Sequence, residues 1–236
     1  MRHALPFLAL LLLVSACATT PSTDDCAANA LCAARRAEPS AIATARGFAT
    51  RSGDTLTIHP AAAPAFSFLD HTAACEAHNV EACDSYALML ASKPAHALVV
   101  QQFLYEGSAV FLIDTNTGRQ TQLYGIPAFS PDGRRFMVAP FDLEHDTGPN
   151  HLEIWRRDGD GAVLEWAHTF QQAHDEDPDL PEAYQTRLIS WQGARLNLQF
   201  ISIDGQKWRG SLTDTGNGWH LDAKSPAGLF AQNKRD

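Results

Sequence analysis

Residues Pro127 to Val138 read P-A-F-S-P-D-G-R-R-F-M-V, two apolar stretches hinged on S-P-D-G. Each turn residue has a physical part to play. Pro131 presets one turn dihedral, Asp132 offers a side chain to cap the turn, and Gly133 tolerates a positive φ. The segment is expected to run strand, tight turn, strand.

Working outward, apolar and β-branched segments of similar length recur between Gly, Asp, Asn and Pro. The expected strands are Ala97–Leu104, Ala109–Asp114, Phe136–Phe141, His151–Arg157, Val163–Phe170, Arg195–Ser202, Trp208–Thr213 and Trp219–Asp222. Turn signals at Glu106, Thr117, Asp158, Asp204 and Gly216 separate them. Leading strands over Tyr86–Leu90, Ile126–Phe129 and Arg187–Trp191 each run into a turn, so the strands fall into three groups. The period is about forty-odd residues, the spacing of a four-stranded repeat, stretched at the last step by 171–184. An N-terminal hairpin, Gly47–Arg51 with Thr55–His59, precedes the groups, and one short helix is expected near 72–82. The fold class is mainly β, an antiparallel meander.

The S-P-D-G segment resembles the repeats of WD40-like and TolB-type β-propellers. Phe129, Ser130, Pro131, Asp132, Gly133 and Phe136 match that family's aromatic leading strand, turn and following apolar strand. The full motif occurs once; Ser92–Lys93–Pro94 and Gln192–Gly193–Ala194 stand at the equivalent turns in degenerate form. The resemblance covers about residues 84–222 and implies blades of a propeller. Three repeats and a hairpin are fewer than the four or so blades of a closed ring, so an incomplete propeller or a stacked meander is expected. A fold of this kind does not specify an activity.

The N-terminus speaks to location. Arg2 precedes an apolar run, Leu8 to Val14, and the run is followed by Ser15, Ala16 and Cys17. A charged start, a short apolar stretch and small residues before a cut describe a secretory signal. The run is shorter than the ~20 residues that span a bilayer. L-V-S-A-C resembles the lipobox of bacterial lipoproteins, which implies cleavage before Cys17 and acylation of its sulfur. Ala18, in place of Asp, implies by the same resemblance the periplasmic face of the outer membrane. The expected domains are a signal peptide over 1–16, a lipidated tether over 17–45 and a β-domain over 46–236. The tether is rich in Ala, Thr, Ser and Asp, a composition that buries little; a short helix over Ala27–Arg36 is compatible with it.

Four cysteines remain, and an exported chain meets an oxidising compartment. They allow three pairings; Cys26–Cys32 and Cys75–Cys83 are favoured because short loops close cheaply. A zinc set of His71, Cys75, His78 and Cys83 competes, with 71, 75 and 78 on one helical face. Its spacing fits no zinc-finger pattern well, so the disulfide is preferred and no cofactor is expected.

Net charge is −9 over 236 residues. That argues against nucleic acid and against direct docking on anionic headgroups, and suits a basic protein partner. Acidic residues concentrate in two segments. Asp142, Glu144, Asp146 and Asn150 offer alternating oxygens of the kind calcium takes, but without EF-hand spacing, and a solvated loop is preferred. His174 to Glu182, H-D-E-D-P-D-L-P-E, offers a negative arm. No G-x-S-x-G, H-E-x-x-H, P-loop or dinucleotide fingerprint occurs. His59, His96, His151, His168 and His220 fall in or beside strands, and Trp155, Trp166, Trp191, Trp208 and Trp219 are expected in packing. The expectation is a lipid-anchored, non-catalytic protein-binding module, such as an inhibitor or immunity protein against a basic cell-wall hydrolase. The alternatives are an envelope scaffold or assembly factor and, behind it, a carbohydrate-binding protein or hydrolase.

Overall fold

A computed structural model of the chain describes Cys26 and residues 29–140, 151–170, 185–202 and 205–223. A helix, α1 (Ala30–Ala45), leads into a three-stranded antiparallel sheet of β1 (Ala49–Ser52), β2 (Thr55–Ile58) and β3 (Phe66–Leu69). A short helix, α2 (Thr72–Glu76), follows. Three four-stranded sheets come next, each a meander of consecutive strands. The second sheet holds β4 (Asp84–Ser92), β5 (Ala97–Leu104), β6 (Ser108–Asp114) and β7 (Gln120–Leu123). The third holds β8 (Ala128–Phe129), β9 (Arg135–Val138), β10 (His151–Asp158) and β11 (Gly161–Thr169). The fourth holds β12 (Gln185–Gln192), β13 (Arg195–Ile201), β14 (Lys207–Asp214) and β15 (Trp219–Asp222). The three expected strand groups are these three sheets. They do not close into a propeller ring.

Side-chain alternation stacks the sheets in chain order. On β5, Leu98 and Val100 join Leu56 and Ile58 of the first sheet in one core. Their neighbours Ala97 and Val99 pack the other way, with Phe136 and Val138 of the third sheet. The third sheet repeats the pattern: Met137, Leu152 and Ile154 turn to Leu196, Leu198 and Phe200 of the fourth. The two middle sheets are thus apolar on both faces, which is why β5, β6 and β9 carry nearly continuous apolar runs.

The two terminal sheets are apolar on one face only. Rows across the first run Thr50–Thr57–Ser67, with Thr57 and Ser67 hydroxyls 2.9 Å apart. Rows across the fourth run Ser190–Asn197–Ser211–Asp222 and Arg187–Gln199–Arg209. Polar outer faces end the stack at both sides, as expected of an arrangement that does not close on itself.

Segment 30–45 differs from the expected tether. It forms α1, capped by Asn29, whose side chain accepts from the Cys32 amide. Ala34, Glu38, Ala41 and Ala45 recur at helical spacing and are buried against the domain, although Pro39 lies inside the helix. Small side chains let the helix approach β4 closely, and an ion-paired Glu38 replaces a large apolar anchor. The ordered domain therefore starts well before residue 46. The strand β3 is also additional to the expected set; Phe68 on it lies 4.9 Å from the Tyr86 ring and 6.2 Å from that of Phe111. No helix among the described residues is long and apolar enough to cross a membrane.

Candidate functional site

The hairpin turns of successive sheets meet along one edge of the stack, and the S-P-D-G turn is at its centre. The Gly133 amide donates to the Ser130 carbonyl at 2.9 Å, closing the turn. Asp132 accepts from the Ser130 hydroxyl at 2.7 Å and from the Arg134 amide at 3.0 Å. These bonds favour its ionised form, the Ser130 bond most, and lower its pKa. Gly133 has φ +70°, and a Cβ there would fall 2.2 Å from the Pro94 carbonyl carbon in the neighbouring turn. Glycine therefore lets two turns touch backbone to backbone.

A buried ion pair ties the same two sheets. Arg157 on β10 donates to Asp114 at 2.7 Å, with the side chains 10% and 6% exposed. The second Asp114 oxygen accepts from the Asn116 and Thr117 amides, so one carboxylate caps a turn and holds the next sheet. Arg119 reaches across to Asp160 at 3.0 Å. Between the turns lies a polar recess of about 320 Å³, lined by Asp114, Arg134, Arg157 and Asp160 among others. Such a rim presents charged groups in fixed positions, which suits recognition of a polar surface.

The opposite edge carries a different constellation. The Nδ1 atom of His71 lies 2.5 Å from Asp84 Oδ1. Asp84 Oδ2 accepts from the Tyr86 hydroxyl at 2.8 Å and from Gln102 at 3.2 Å. Burial raises the Asp84 pKa, but the bonds from His71, Tyr86 and Gln102 outweigh it and the net direction is down. The Tyr86 phenol is pushed up to about 12 by burial and then by its bond to Asp84. A histidine steered by a carboxylate is half of what general-base catalysis needs. The other half is a nucleophile in reach; among the described residues the only side-chain hydrogen bond of His71 is to Asp84.

Between α1 and the sheets lies an ionic lattice that composition does not reveal. Glu38 accepts from Arg51 Nη2 at 3.0 Å, Arg35 at 3.1 Å and the Leu88 amide at 2.8 Å. Asp70 pairs with Arg35 and Arg51 and accepts from the Tyr86 amide at 2.8 Å. Burial, then the Arg51 charge, lowers the Arg35 pKa against the pull of Glu38.

Several expected sites are located, and others lie outside the described residues. Cys26–Cys32 and Cys75–Cys83 form two local disulfides, with Cα separations of 5.3 and 4.5 Å. The pairing of Cys75 with Cys83 removes both thiolates from the zinc set, and His71 turns to Asp84 instead. Among the described residues no cluster of three or more His, Cys, Asp or Glu is arranged for a metal. Cys17, the set Asp142, Glu144, Asp146 and Asn150, and the acidic segment 174–182 lie outside those residues. The tryptophans pack: Trp155 stacks on Phe136 at 6.1 Å, Trp208 on Phe200 at 5.6 Å, and Trp166, Trp191 and Trp219 border the core of the last two sheets. Sequence reasoning missed Glu38, the His71–Asp84 pair and the Asp114–Arg157 tie. The helical spacing of Ala34, Glu38, Ala41 and Ala45 was the available signal for the first; the other two join residues far apart in the chain. The chain matches no protein-family profile, no curated protein and no solved structure.

Proposed function

We propose that this chain is a bacterial lipoprotein, held through lipid on Cys17 at the periplasmic face of the outer membrane. Its domain is a non-catalytic protein-binding module whose sheets are blades of an incomplete propeller. One observation carries the module reading: consecutive meanders stack face to face and their turns are pinned side by side, Gly133 against Pro94 and Asp114 to Arg157. A scaffold fixed in this way displays loops without spending entropy on ordering them when a partner binds. The blade reading is supported by repetition: β4 and β12 both bulge shortly before their turns, with register shifts at Leu88/Leu90 and Leu188/Ser190.

The partner that fits a chain of net charge −9 with an Asp- and Glu-rich segment over 174–182 is a basic protein. In the envelope, an inhibitor or immunity protein that neutralises a basic cell-wall hydrolase meets that description. The test has two parts. Metabolic labelling with radioactive palmitate should mark the chain and fail on Cys17→Ser; equal labelling removes the anchor. The immobilised domain should then retain a wall hydrolase at low salt, release it at high salt and block its lysis of peptidoglycan. Reversing Asp175, Glu176, Asp177 and Asp179 to Lys should weaken retention, and unchanged affinity would remove that segment's role. Retention of resident envelope proteins without inhibition would favour a scaffold or assembly factor.

A further inference from the structure

A second recess, on the turn edge but against α1, has a different chemistry. It is about 380 Å³, and its floor is apolar: Ala45, Phe48, Ala91, Ala97 and Leu98. Arg46, Lys93 and His96 stand among its lining residues, and no Asp or Glu does. In a chain with 27 acidic and 18 basic residues, that is a local reversal of sign. Neither Arg46 nor Lys93 forms an ion pair among the described residues.

The backbone adds an independent observation. Among the described residues three non-glycine residues have positive φ, and two of them, Arg46 at 51° and His96 at 48°, line this recess. A left-handed conformation costs an ordinary residue about 1–2 kcal/mol, and glycine nearly nothing. Arg46 is the C-cap of α1 and His96 closes the β4–β5 turn, both places where glycine is the undemanding choice. Strain of this kind, held by the surroundings, concentrates at ligand sites. Here it sets the Arg46 and His96 side chains beside one apolar recess.

We infer that this recess binds an amphipathic carboxylate, its hydrocarbon tail on Ala45, Phe48, Ala91 and Leu98 and its head among Arg46, Lys93 and His96. Volume limits the length: at about 30 Å³ per water-sized group the space holds about a dozen non-hydrogen atoms, the size of decanoate. Apolar burial supplies affinity, and charge-assisted hydrogen bonds select the acid over the alcohol. The site adjoins the polar recess, with which it shares His96, and does not depend on a protein partner.

The experiment is calorimetric titration of the chain from residue 17 onward, which keeps every described residue, with Cys17→Ser to exclude its own lipid. Decanoate should saturate one site below about 1 mM, and 1-decanol should bind about tenfold more weakly or worse, the loss expected for one charged hydrogen bond. Arg46→Gly and His96→Gly relieve the left-handed backbone. Each should unfold at the same or higher denaturant concentration and yet lose about tenfold in decanoate affinity. Thr44→Trp, at the exposed mouth, should fill the recess and abolish binding. Absence of saturation, equal affinity for decanol, or glycine variants that keep wild-type affinity would each overturn the inference. Loss of stability in both glycine variants would overturn the strain that motivates it.

Discussion

Replacing Gly133 by alanine tests how the sheets are joined. Two costs are expected at this position. The left-handed backbone, φ +70°, costs an L-residue about 1–2 kcal/mol. The added methyl would sit 2.2 Å from Pro94 C and 2.3 Å from Ala95 N, where ordinary contact begins at 3.4 Å. Those are backbone atoms and cannot swing aside, so the two turns must part; overpacking of that kind costs about 1–3 kcal/mol. Together the loss is about 2–5 kcal/mol. Gly53 supplies the control: its φ is +54°, and a Cβ there meets nothing within 4 Å. Gly53→Ala should lose only the conformational part, about 1–2 kcal/mol. Urea unfolding followed by tryptophan fluorescence measures both, and Trp155, stacked on Phe136 between the second and third sheets, reports the junction directly. Equal losses in the two variants would refute the claim that close approach of the turns, rather than turn conformation alone, requires Gly133.

The remaining expectations concern buried charge and titration. Glu38→Ala leaves Arg51, 13% exposed, with Asp70 as its remaining carboxylate and takes the acceptor from the Leu88 amide; a loss of about 1–3 kcal/mol in urea unfolding is expected, and no measurable loss would show Glu38 to be dispensable. Asp114→Ala should cost about 3–5 kcal/mol by stranding Arg157, whose one carboxylate partner among the described residues it is, and Asp114→Ala with Arg157→Leu should recover part of it; additive losses would contradict the pairing. Tyr86, raised to about 12, stays protonated in the folded chain after an unfolded tyrosine ionises near 10. Its contribution is therefore whole below about pH 10 and lost as pH rises towards 12, and ultraviolet titration against Tyr86→Phe should show the difference step near 12 rather than 10. Asp84 has the opposite sign: its lowered pKa stabilises the fold above the ordinary carboxylate range of about 4 and the contribution fades as pH falls below it. Asp84→Asn should flatten that acid limb in pH-dependent thermal unfolding; an unchanged limb would assign the acid sensitivity elsewhere.

The strands of the last three sheets were legible because each is bounded by its own turn residues. Ala97–Leu104 and Trp219–Asp222 match the expected bounds, and other strands shift by a residue or a few. Two elements were not legible, for different physical reasons. The buried face of α1 is Ala34, Glu38, Ala41 and Ala45, which carries the helical period but almost no hydrophobic contrast; its anchor is a carboxylate whose partner, Arg51, is set by the tertiary fold. The strand β3 is four residues long, follows a Pro- and Ala-rich stretch and pairs with β2 alone. At the rim, the sequence showed that Gly133 turns the chain but not that Pro94 lies against it, because that distance is set by stacking of separate sheets. Left-handed Arg46 and His96 carry no compositional mark at all, since glycine would be the ordinary reading of such positions.

The polar outer rows of the first and last sheets have a consequence for modularity. Each sheet is built from consecutive strands, and the cores join it to its neighbours in the stack, so the architecture behaves as a short linear array with a hydrophilic cap at either end. Repeat number is then free to vary at the middle and costly to vary at the ends. Duplicating the second sheet would add a unit that is apolar on both faces, as a middle position requires. Truncating the fourth would strip Leu152, Ile154 and Met137 of their cover and leave an adhesive apolar surface. The Ser190–Asn197–Ser211–Asp222 row is therefore a terminator: it keeps one molecule from serving as the next unit of another.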